Sequence, residues 1–368
     1  MKLEYSVEKP LNREPPVETL IQSFLSIDDQ YDRNHGPIPY IDVNHHFVHV
    51  DGNVRKKLQL SVHQLKNQFP QYEVISALQC AGNRRHTMRT LLKEVNGIDW
   101  GEGAVMNCSW KGPRLKDILL EAGLTNGKCE GQHAAFSCFQ TAVQGDDWYG
   151  GSVELGRAMD EDADILIALE MNGKPLTAKH GYPVRIIVPG VSGCRSVKWL
   201  DRITVQSEES TNLYQRYDYK ILPPEATDAE AAKKYWDITP ALQDMPVNSV
   251  IATPQDGDTI RLSPDGTLEV RGYALPHGNQ GPVVNVEISI DDGRTWSKAE
   301  IMNTNREKSK WAWAIWKANV NVEKGREKRL LSRATDAGEN IQNDNPGKWN
   351  LRGVAYDGYG EVRGLNVT

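Results

Sequence analysis

The chain has 368 residues, a formal net charge of -6 at pH 7 and a sequence pI near 5.9. This length is enough for two or three domains of ordinary size, each with its own hydrophobic core. The acidic balance argues against a general nucleic-acid binder and against a protein that binds anionic membranes, because both usually carry a basic excess. Arginines that matter for function must therefore act locally.

The sequence shows no targeting or membrane signal. No segment approaches the roughly 18 apolar residues that span a bilayer, and residues 1–5 lack the apolar core of a signal peptide. Residues 364–368 do not end in a peroxisomal tripeptide. The sequence therefore predicts a soluble, cytoplasmic protein.

Helix and strand patterns alternate over about the first 220 residues. Ser61 and Gln64 have the spacing of a capping box ahead of Leu65 and Phe69, and Pro70 ends the predicted helix. The apolar run at 73–78 predicts a partly buried strand.

Two further segments extend this mixed pattern. Residues 114–122 predict an amphipathic helix, with Gly123 as its C-terminal cap. Residues 164–169 predict a strand, and Asn172 and Gly173 predict the turn after it. Residues 221–246 are rich in Ala, Asp and Pro, which predicts a connector with a short helix at 229–235.

Short strands dominate the sequence from Ser249 onward. A strand is predicted at 267–273, and Val284, Val286, Ile288 and Ile290 alternate with polar residues. About 120 residues of this kind fit an immunoglobulin-like sandwich. Its tryptophans are predicted to lie in the core and at an interface, where large aromatic side chains dominate.

Cysteine usage identifies one unusual thiol. The five cysteines form no CxxC pair and are odd in number, so the sequence indicates neither a disulfide framework nor a zinc site. Four of them are predicted to be small buried hydrophobic residues. Cys80 differs, because it ends the predicted strand and is followed by Arg84 and Arg85. Positive neighbours lower a cysteine pKa, which predicts a thiolate that acts as a nucleophile or a soft metal ligand.

Two short motifs contain donors suited to an anion. Arg33, Asn34 and His35 place a guanidinium, an amide and an imidazole on consecutive residues before a Gly-Pro turn. A surface turn is the alternative interpretation of this motif. Arg352 lies amid apolar and turn residues, where a structural salt bridge is the alternative.

Arg185 interrupts an apolar strand whose neighbouring residues are predicted to be buried. A buried arginine requires a partner, so either an internal carboxylate or a bound anion must meet its donors. Arg195, Ser196 and Lys198 follow closely and supply further donors, as phosphate binding would require.

Taken together, these motifs resemble the sulfite oxidase family of molybdenum enzymes, and the resemblance extends over essentially the whole chain. The motifs in family order are Arg-Asn-His-Gly-Pro at 33–37, Cys-Ala-Gly-Asn-Arg-Arg at 80–85, Glu-Met-Asn-Gly at 170–173, His-Gly-Tyr-Pro-Val-Arg at 180–185, Ser-Val-Lys-Trp-Leu at 196–200 and Trp-Asn-Leu-Arg-Gly at 349–353. The resemblance implies an α+β protein. A mixed α/β domain at 1–240 would hold molybdopterin and include the connector at 221–246, and an immunoglobulin-like dimerisation domain would occupy 247–368.

The resemblance also implies a set of site residues around a molybdenum-molybdopterin cofactor (Mo-MPT). Cys80 matches the metal-ligating cysteine of the family, and sulfur-rich coordination suits a thiolate. Residues that match the cofactor cradle are Asn34, His35, His180, Arg185, Ser196 and Lys198. Residues that match the oxyanion pocket are Arg33, Arg85, Trp100, Tyr219 and Arg352.

The activity implied is the oxidation of sulfite to sulfate by oxygen-atom transfer. Electrons would then pass to oxygen or to an external acceptor such as a soluble cytochrome. A homodimer is expected, without nucleic-acid or membrane partners. Only about 30 residues precede Arg33, whereas a haem module needs roughly 80 to 100, so no haem domain is expected before it.

Three alternatives compete with this interpretation. The molybdenum domain of an assimilatory nitrate reductase shares the motif at 80–85, but those enzymes usually have methionine where this chain has Arg352. A hydrolase or thiol transferase would use Cys80 with His86 or His35 as base, but the sequence supplies no recognisable third, orienting group. A binding protein with a degenerate molybdenum site is disfavoured by the intact arginine set.

The chain departs from the family pattern at three places. Cys194 occupies a position that is commonly alanine, and Gln140 lies where relatives often have an aspartate near the pterin. Residues 355–360 lack the Trp-His ending of animal and plant relatives. We therefore expect the last strand or the dimer edge to differ.

Overall fold

The computed structural model describes residues 6–28, 30–125, 129–302, 309–342 and 346–368. Helices and strands are mixed in the first part of the chain. Its strands are β1 (Ser6–Glu8), β2 (Leu11–Arg13), β3 (Asp32–Arg33), β4 (Phe47–Gly52), β5 (Leu58–Ser61), β6 (Tyr72–Gln79), β7 (Val105–Gly112), β8 (His133–Cys138), β9 (Tyr149–Glu154), β10 (Leu166–Ala168), β11 (Glu170–Met171), β12 (Lys174–Pro175), β13 (Arg185–Ile187) and β14 (Arg202–Gln206).

The helices of the described residues are short. They are α1 (Val17–Leu20), α2 (Val62–Asn67), α3 (Arg85–Leu91), α4 (Leu115–Glu121), α5 (Leu155–Met159) and α6 (Ala229–Ala232). Single 3-10 turns lie at Glu161–Ala163, Ala178–His180 and Gly193–Arg195, and a π-helical turn lies at Tyr214–Asp218. None of the helices in the described ranges combines the length and the apolarity needed to cross a bilayer.

Local signals in the sequence are confirmed at α2 and α4. The capping box is complete, because Ser61 Oγ accepts from Gln64 N at 3.2 Å and Gln64 Oε1 accepts from Ser61 N at 3.0 Å. After α4, Gly123 adopts a φ of 83°, the left-handed conformation that glycine tolerates at a helix end. These elements follow from short-range hydrogen bonding alone.

Two predicted elements are shorter than expected. The strand predicted at 164–169 is reduced to β10, because Asp164 takes a φ of 50° at the end of a 3-10 turn. The helix predicted at 229–235 is the single turn α6, which Asp228 caps at its N-terminus. The predicted turn at Asn172 and Gly173 is confirmed and joins β11 to β12.

Two larger sheets form most of the first part of the chain. One has the order β5-β4-β14-β8-β9, and the other has the order β12-β11-β7-β6. Strands β6 and β7 pair antiparallel over their whole length, from Tyr72 with Gly112 to Gln79 with Val105. This long ladder fixes the end of β6, where Cys80 follows, and confirms the predicted mixed α/β character.

The second part of the chain is a two-sheet sandwich, as predicted. Its strands are β15 (Asn248–Thr253), β16 (Thr259–Ile260), β17 (Leu268–Leu275), β18 (Val283–Ser289), β19 (Ser297–Lys298), β20 (Glu300–Ile301), β21 (Ala314–Val320), β22 (Gly325–Asp336) and β23 (Gly360–Val367). The sheets have the orders β15-β17-β21-β20 and β16-β23-β22-β18-β19. A hydrophobic core that includes Val270, Val286, Trp316 and Leu330 lies between them.

The predicted alternation in β18 is only partly correct. Val286 and Ile288 are buried, but Val284 and Ile290 are each 42% exposed. The register against β22 shifts between Val283 and Asn285, so Val283 takes the inward position instead of Val284. A bulge of this kind moves side chains to the opposite face of a strand and cannot be read from period-two spacing.

Tryptophans of the sandwich also pack against the first part of the chain. Trp313 is buried in a cluster with Leu20, Ile21 and Tyr273, and its Nε1 donates to Phe24 O at 2.9 Å. Trp311 Nε1 donates to Asp164 Oδ2 at 2.9 Å. The prediction that the tryptophans serve as core and interface is therefore confirmed.

The packing of Trp313 against the first part of the chain predicts an effect on stability. Trp313→Ala removes a large side chain from this cluster and should lower the free energy of unfolding by about 3 to 5 kcal/mol. Urea unfolding followed by circular dichroism measures the change. Tyr40→Ala is the control, because Tyr40 is 98% exposed and surface changes usually stay within about 0.5 kcal/mol. Equal losses in both variants would contradict the packing role of Trp313.

Candidate active site

Cys80 lies immediately after β6, at the start of a tight turn. Its backbone N donates to Ala104 O at 2.9 Å, and its carbonyl accepts from Asn83 N at 3.0 Å. The side chain is buried and faces a pocket. The rigid β6–β7 ladder therefore fixes the thiol in place, as predicted for a residue at a strand end.

One pocket gathers predicted residues from distant parts of the chain. The predicted residues on its wall are Arg33, Asn34, His35, Cys80, His180, Arg185, Ser196, Lys198 and Tyr219. Tyr31, Met106 and Tyr149 also line it and were not predicted. Of the other predicted residues, Trp100 is buried in the same hydrophobic cluster as Cys80, whereas Arg85 and Arg352 are not among the lining residues.

The arginines that follow Cys80 point in different directions. Arg84 turns away from the thiol and donates to Gly358 O at 2.7 Å and to Tyr359 O at 2.6 Å. Arg85 Nε donates to the carbonyls of Arg352 and Gly353, both at 3.1 Å, and its Nη1 donates to Ile98 O at 2.7 Å. Both residues therefore tie the Cys80 turn to the segment at 352–359.

The predicted net lowering of the Cys80 pKa by its positive neighbours is wrong. Burial raises the pKa of the Cys80 thiol, and this effect exceeds the lowering caused by Arg33 and Arg85. The second positive neighbour is Arg33, from a distant segment, because Arg84 faces elsewhere. A bound metal ion would remove the proton, since metals deprotonate coordinating thiols outright.

Arg33 is held by hydrogen bonds on both sides of its guanidinium. Its Nη1 donates to Asn12 Oδ1 at 3.1 Å and to Asn34 O at 2.7 Å, and its Nη2 donates to His35 Nδ1 at 3.0 Å. Asn12 Oδ1 also accepts from Asn34 N at 3.0 Å. Asn12 was missed by sequence analysis, because only the pairing of β2 with β3 brings it opposite Arg33.

His35 and Tyr219 form a directed hydrogen-bond pair. Arginine can only donate, so His35 Nδ1 accepts from Arg33, and His35 Nε2 donates to Tyr219 Oη at 2.7 Å. Burial and the charges of Arg33 and Lys198 lower the pKa of His35, so the ring is neutral. Burial raises the pKa of Tyr219. The Tyr219 hydroxyl therefore keeps its hydrogen, and Tyr219 lines the pocket.

Arg185 is buried in β13 with only part of its donor capacity used. Its Nη1 donates to His180 O and its Nη2 donates to Ser196 O, both at 3.0 Å. Its Nε is buried and has no hydrogen-bond partner among the described residues. Burial lowers the pKa of Arg185 to about 10. Of the partners predicted for this arginine, a carboxylate is not found in the described ranges, so the donor set fits a bound anion.

Two neighbours complete this anion cradle. His180 Nε2 is buried without a hydrogen-bond partner in the described part of the chain and lies 3.7 Å from Asp32 Oδ1. Burial and nearby positive charges lower the pKa of His180 to about 2, so the ring is neutral. Lys198 Nζ donates to Arg33 O at 3.0 Å, to Lys179 O at 2.9 Å and to Asn34 Oδ1. Burial and the charge of Arg185 lower the pKa of Lys198. The cradle thus combines the positive charge of Arg185 with unused polar atoms of Arg185 and His180.

The departures noted in the sequence lie in three different surroundings. Cys194 is buried and lines the pocket. Gln140 Nε2 donates to Asp201 Oδ2 at 3.0 Å, so Gln140 pairs with a carboxylate of the protein. Residues 360–367 form β23, which lies between β16 and β22 inside a sandwich sheet.

The thiol chemistry with His86 as base does not fit the geometry. His86 Nδ1 lies 2.9 Å from Asp99 Oδ2, so an orienting carboxylate is present after all. However, His86 lines a different cleft, between the two parts of the chain, and is not among the residues around Cys80. A base must be within hydrogen-bond reach of its nucleophile, so His86 loses support as the base. His35 does line the pocket, but its two ring nitrogens already contact Arg33 and Tyr219.

Glu14 holds the segment that follows Trp100. Its Oε1 accepts from Gly101 N at 2.7 Å and its Oε2 accepts from Gly103 N at 3.1 Å. Burial raises the pKa of Glu14 to about 7, despite these two hydrogen bonds. The buried carboxylate therefore titrates near neutral pH.

This raised pKa predicts a pH-dependent stability. Because the pKa is higher in the folded protein, Glu14 stabilises the fold most below its ordinary pKa of 4.5, and this contribution is lost as pH rises through about 7. Glu14→Gln should therefore become more stable relative to the parent protein by roughly 3 kcal/mol between pH 4 and pH 8. Urea unfolding at both values tests this, and a constant difference would contradict it.

Comparison with known proteins defines the class of this fold and pocket. Residues 35–214 match the family model of the oxidoreductase molybdopterin binding domain. Residues 239–363 match the Mo-co oxidoreductase dimerisation domain. The protein is therefore an oxidoreductase with a molybdopterin cofactor, and the unpartnered Arg185 Nε and His180 Nε2 in the same pocket as a buried thiol fit such a group.

Curated relatives narrow this class. The chain is 40% identical to sulfite oxidase of Gallus gallus over 355 residues, which cover 96% of this chain and 75% of that protein. It is 40% identical to the mitochondrial sulfite oxidase of Homo sapiens, of which it covers 65%. It is 34% identical to sulfite oxidase of Arabidopsis thaliana, with 96% of this chain and 91% of that protein covered. The chain belongs to the sulfite oxidase family.

Two other matches complete the comparison. An NADH-dependent nitrate reductase of Volvox carteri is 35% identical over 96% of this chain, but only 42% of that protein is covered. The crystal structure of the sulfane dehydrogenase SoxCD from Paracoccus pantotrophus has a TM-score of 0.77 and 23% identity, covering 97% of this chain and 87% of that chain. The latter match confirms the α+β fold.

Proposed function

We propose that this chain oxidises sulfite to sulfate at a molybdenum-molybdopterin cofactor. The observation that carries the proposal is the convergence of a buried thiol, Cys80, with the guanidiniums of Arg33 and Arg185 on one pocket. A thiolate suits a soft, sulfur-rich metal site. Guanidiniums suit oxyanions, because they present forked donors and are not deprotonated. Few other chemistries require both groups together.

Different residues of the pocket have different proposed roles. Cys80 would bind the metal, and the residues that would hold the organic part of the cofactor are Asn34, His35, His180, Arg185, Ser196 and Lys198. When bound, the cofactor supplies the oxygen atom that is transferred and accepts two electrons. The unpaired Nε of Arg185 would donate to an acceptor on the cofactor, and the unpaired Nε2 of His180 would donate or accept there according to its tautomer.

The protein contributes position and charge to the reaction. Arg33 is fixed by Asn12 and His35, so its free donor directions are set before substrate binds. Tyr219 would direct its hydroxyl hydrogen to the pocket, because His35 donates to its oxygen. Preorganised donors of this kind stabilise charge without reorganising during the reaction. Sulfite is an anion at neutral pH, and these groups would neutralise its charge.

Arg85, Trp100 and Arg352 have a less direct proposed role. Arg85 faces Cys80 closely enough to lower the pKa of the thiol, although backbone carbonyls accept its hydrogen bonds. Trp100 would support Cys80 by packing in the same hydrophobic cluster. Arg352 would reach the oxyanion only after leaving the partner that it has in this structure.

Assembly and electron transfer are further parts of the proposal. Residues 247–368 would form a homodimer, in agreement with the match to a dimerisation domain. Electrons would leave to oxygen or to a soluble cytochrome, and the proposed compartment is the cytoplasm. Sulfite turnover under oxygen, compared with turnover under argon with cytochrome c, distinguishes the two acceptors.

Substrate choice tests the function directly. The purified, molybdenum-loaded protein should reduce ferricyanide in the presence of sulfite. The same preparation should reduce little nitrate when methyl viologen supplies electrons. Nitrate reduction that exceeds sulfite oxidation would instead support the nitrate reductase alternative. The similarity to the Volvox carteri nitrate reductase is the reason to include this test.

A further inference from the structure

Arg352 forms an ion pair inside the protein. Its Nη2 contacts Asp218 Oδ1, and its Nε donates to the backbone O of Asp218 at 3.3 Å. The side chains of Arg352 and Asp218 are 23% and 20% exposed. Solvent therefore reaches the ion pair.

Asp218 lies where it influences the whole oxyanion pocket. It is the last residue of the π-helical turn Tyr214–Asp218 and directly precedes Tyr219, which lines the pocket. Burial disfavours the charged forms of Arg33 and Arg85, whereas Asp218 is among the groups that raise the pKa of both. The carboxylate thus contacts Arg352 directly and acts electrostatically on the other two guanidiniums predicted to bind the oxyanion.

We propose that Asp218 is an internal counter-ion that competes with the bound oxyanion for Arg352. The proposal rests on the proposed function, since the anions in question are sulfite and sulfate. When sulfite binds, Arg352 exchanges the Asp218 carboxylate for the substrate. When sulfate leaves, the ion pair between Asp218 and Arg352 forms again.

This competition has a use in catalysis. Sulfite and sulfate are both small oxyanions, so guanidiniums that bind the substrate also bind the product. Interactions that hold both equally lower KM without raising kcat. When the Asp218 carboxylate pairs with Arg352 again, the affinity of the pocket for sulfate falls and sulfate dissociates faster. Asp218 is therefore a positioning residue that sets product affinity through Arg352.

Sulfate affinity of the molybdenum-loaded protein tests the proposal. We expect D218N to lower the Kd of sulfate about three- to tenfold, because the Asp218 carboxylate no longer competes with sulfate for Arg352. Isothermal titration calorimetry measures this Kd without turnover. The KM for sulfite should fall as well, whereas kcat should fall because sulfate leaves more slowly.

The variants R352Q and D218N/R352Q distinguish two explanations for tighter sulfate binding in D218N. Asp218 either acts through its ion pair with Arg352 or repels the anion directly by its charge. If Asp218 acts through Arg352, the double variant should bind sulfate within about twofold of R352Q. A double variant that binds sulfate several-fold more tightly than R352Q would overturn the proposal. D237N is the matched control, because it removes a carboxylate from an exposed ion pair with Arg216, and its sulfate Kd should not change.

Failure of this inference is distinguishable from failure of the proposed function. Parent protein that neither oxidises sulfite nor binds sulfate would overturn the function itself. Parent protein that oxidises sulfite, with D218N binding sulfate no more tightly, would overturn only the counter-ion role. Asp218→Ser provides a second replacement, and circular dichroism together with molybdenum content confirms that each variant is folded and loaded.

Discussion

Replacing Cys80 with serine is expected to reduce sulfite turnover by roughly 100-fold or more, because a hydroxyl is a poor substitute for a soft thiolate ligand. The fold should survive, since the exchange changes one buried atom at the end of β6. Turnover and X-ray absorption at the molybdenum edge measure the effect, and we expect one sulfur fewer around the metal.

Cys108 provides the matched control for this variant. It is buried in the same hydrophobic cluster as Cys80, and burial raises the pKa of its thiol to about 12. It does not line the pocket. Cys108→Ser should therefore keep the sulfur count and most of the activity. Equal activity losses in both variants, with unchanged absorption spectra, would remove the ligand role of Cys80.

Replacing Arg33 with glutamine is expected to raise the KM for sulfite on the order of 100-fold, because a charged hydrogen-bond partner of the anion is lost. Molybdenum content should change much less, because the anion cradle around Arg185 is untouched. Arg33→Lys should give an intermediate KM, since lysine keeps the charge but loses the fork. Steady-state kinetics and elemental analysis measure both quantities.

Arg202 supplies the control for Arg33. It lies on β14 in an exposed ion pair with Asp51, so Arg202→Gln should leave KM unchanged. Arg85 is a less suitable test of oxyanion binding, because its replacement would leave the carbonyls of Ile98, Arg352 and Gly353 without their donor. If Arg33→Gln lost molybdenum and kept its KM, Arg33 would belong to the cofactor cradle instead.

Much of the pocket was predictable because its residues interrupt the apolar pattern of the strands around them. Cys80 has charged neighbours at the end of an apolar run, and Arg185 places a charge inside another apolar run. Burial of a charge demands a partner, so the sequence around Arg185 by itself indicated a carboxylate or a bound anion. The capping box at Ser61 and the cap at Gly123 were equally predictable, since each depends on residues within one turn.

Other features depend on tertiary contacts and could not be predicted. Asn12 meets Arg33 only because β2 pairs with β3. The direction of Arg84 is set by carbonyls at Gly358 and Tyr359, far away in sequence. The net pKa shift of Cys80 depends on how deeply the thiol is buried. The outward position of Val284 depends on a bulge in β18.

The hydrogen bonds of Arg84 and Arg85 have a consequence for biosynthesis. They join the turn after Cys80 to carbonyls of Arg352, Gly353, Gly358 and Tyr359, which follow 267 to 275 positions later in the chain. A nascent polypeptide therefore lacks these carbonyl acceptors until the ribosome has passed this segment. The turn after Cys80 can accordingly complete its hydrogen bonds only once both parts of the chain have folded together.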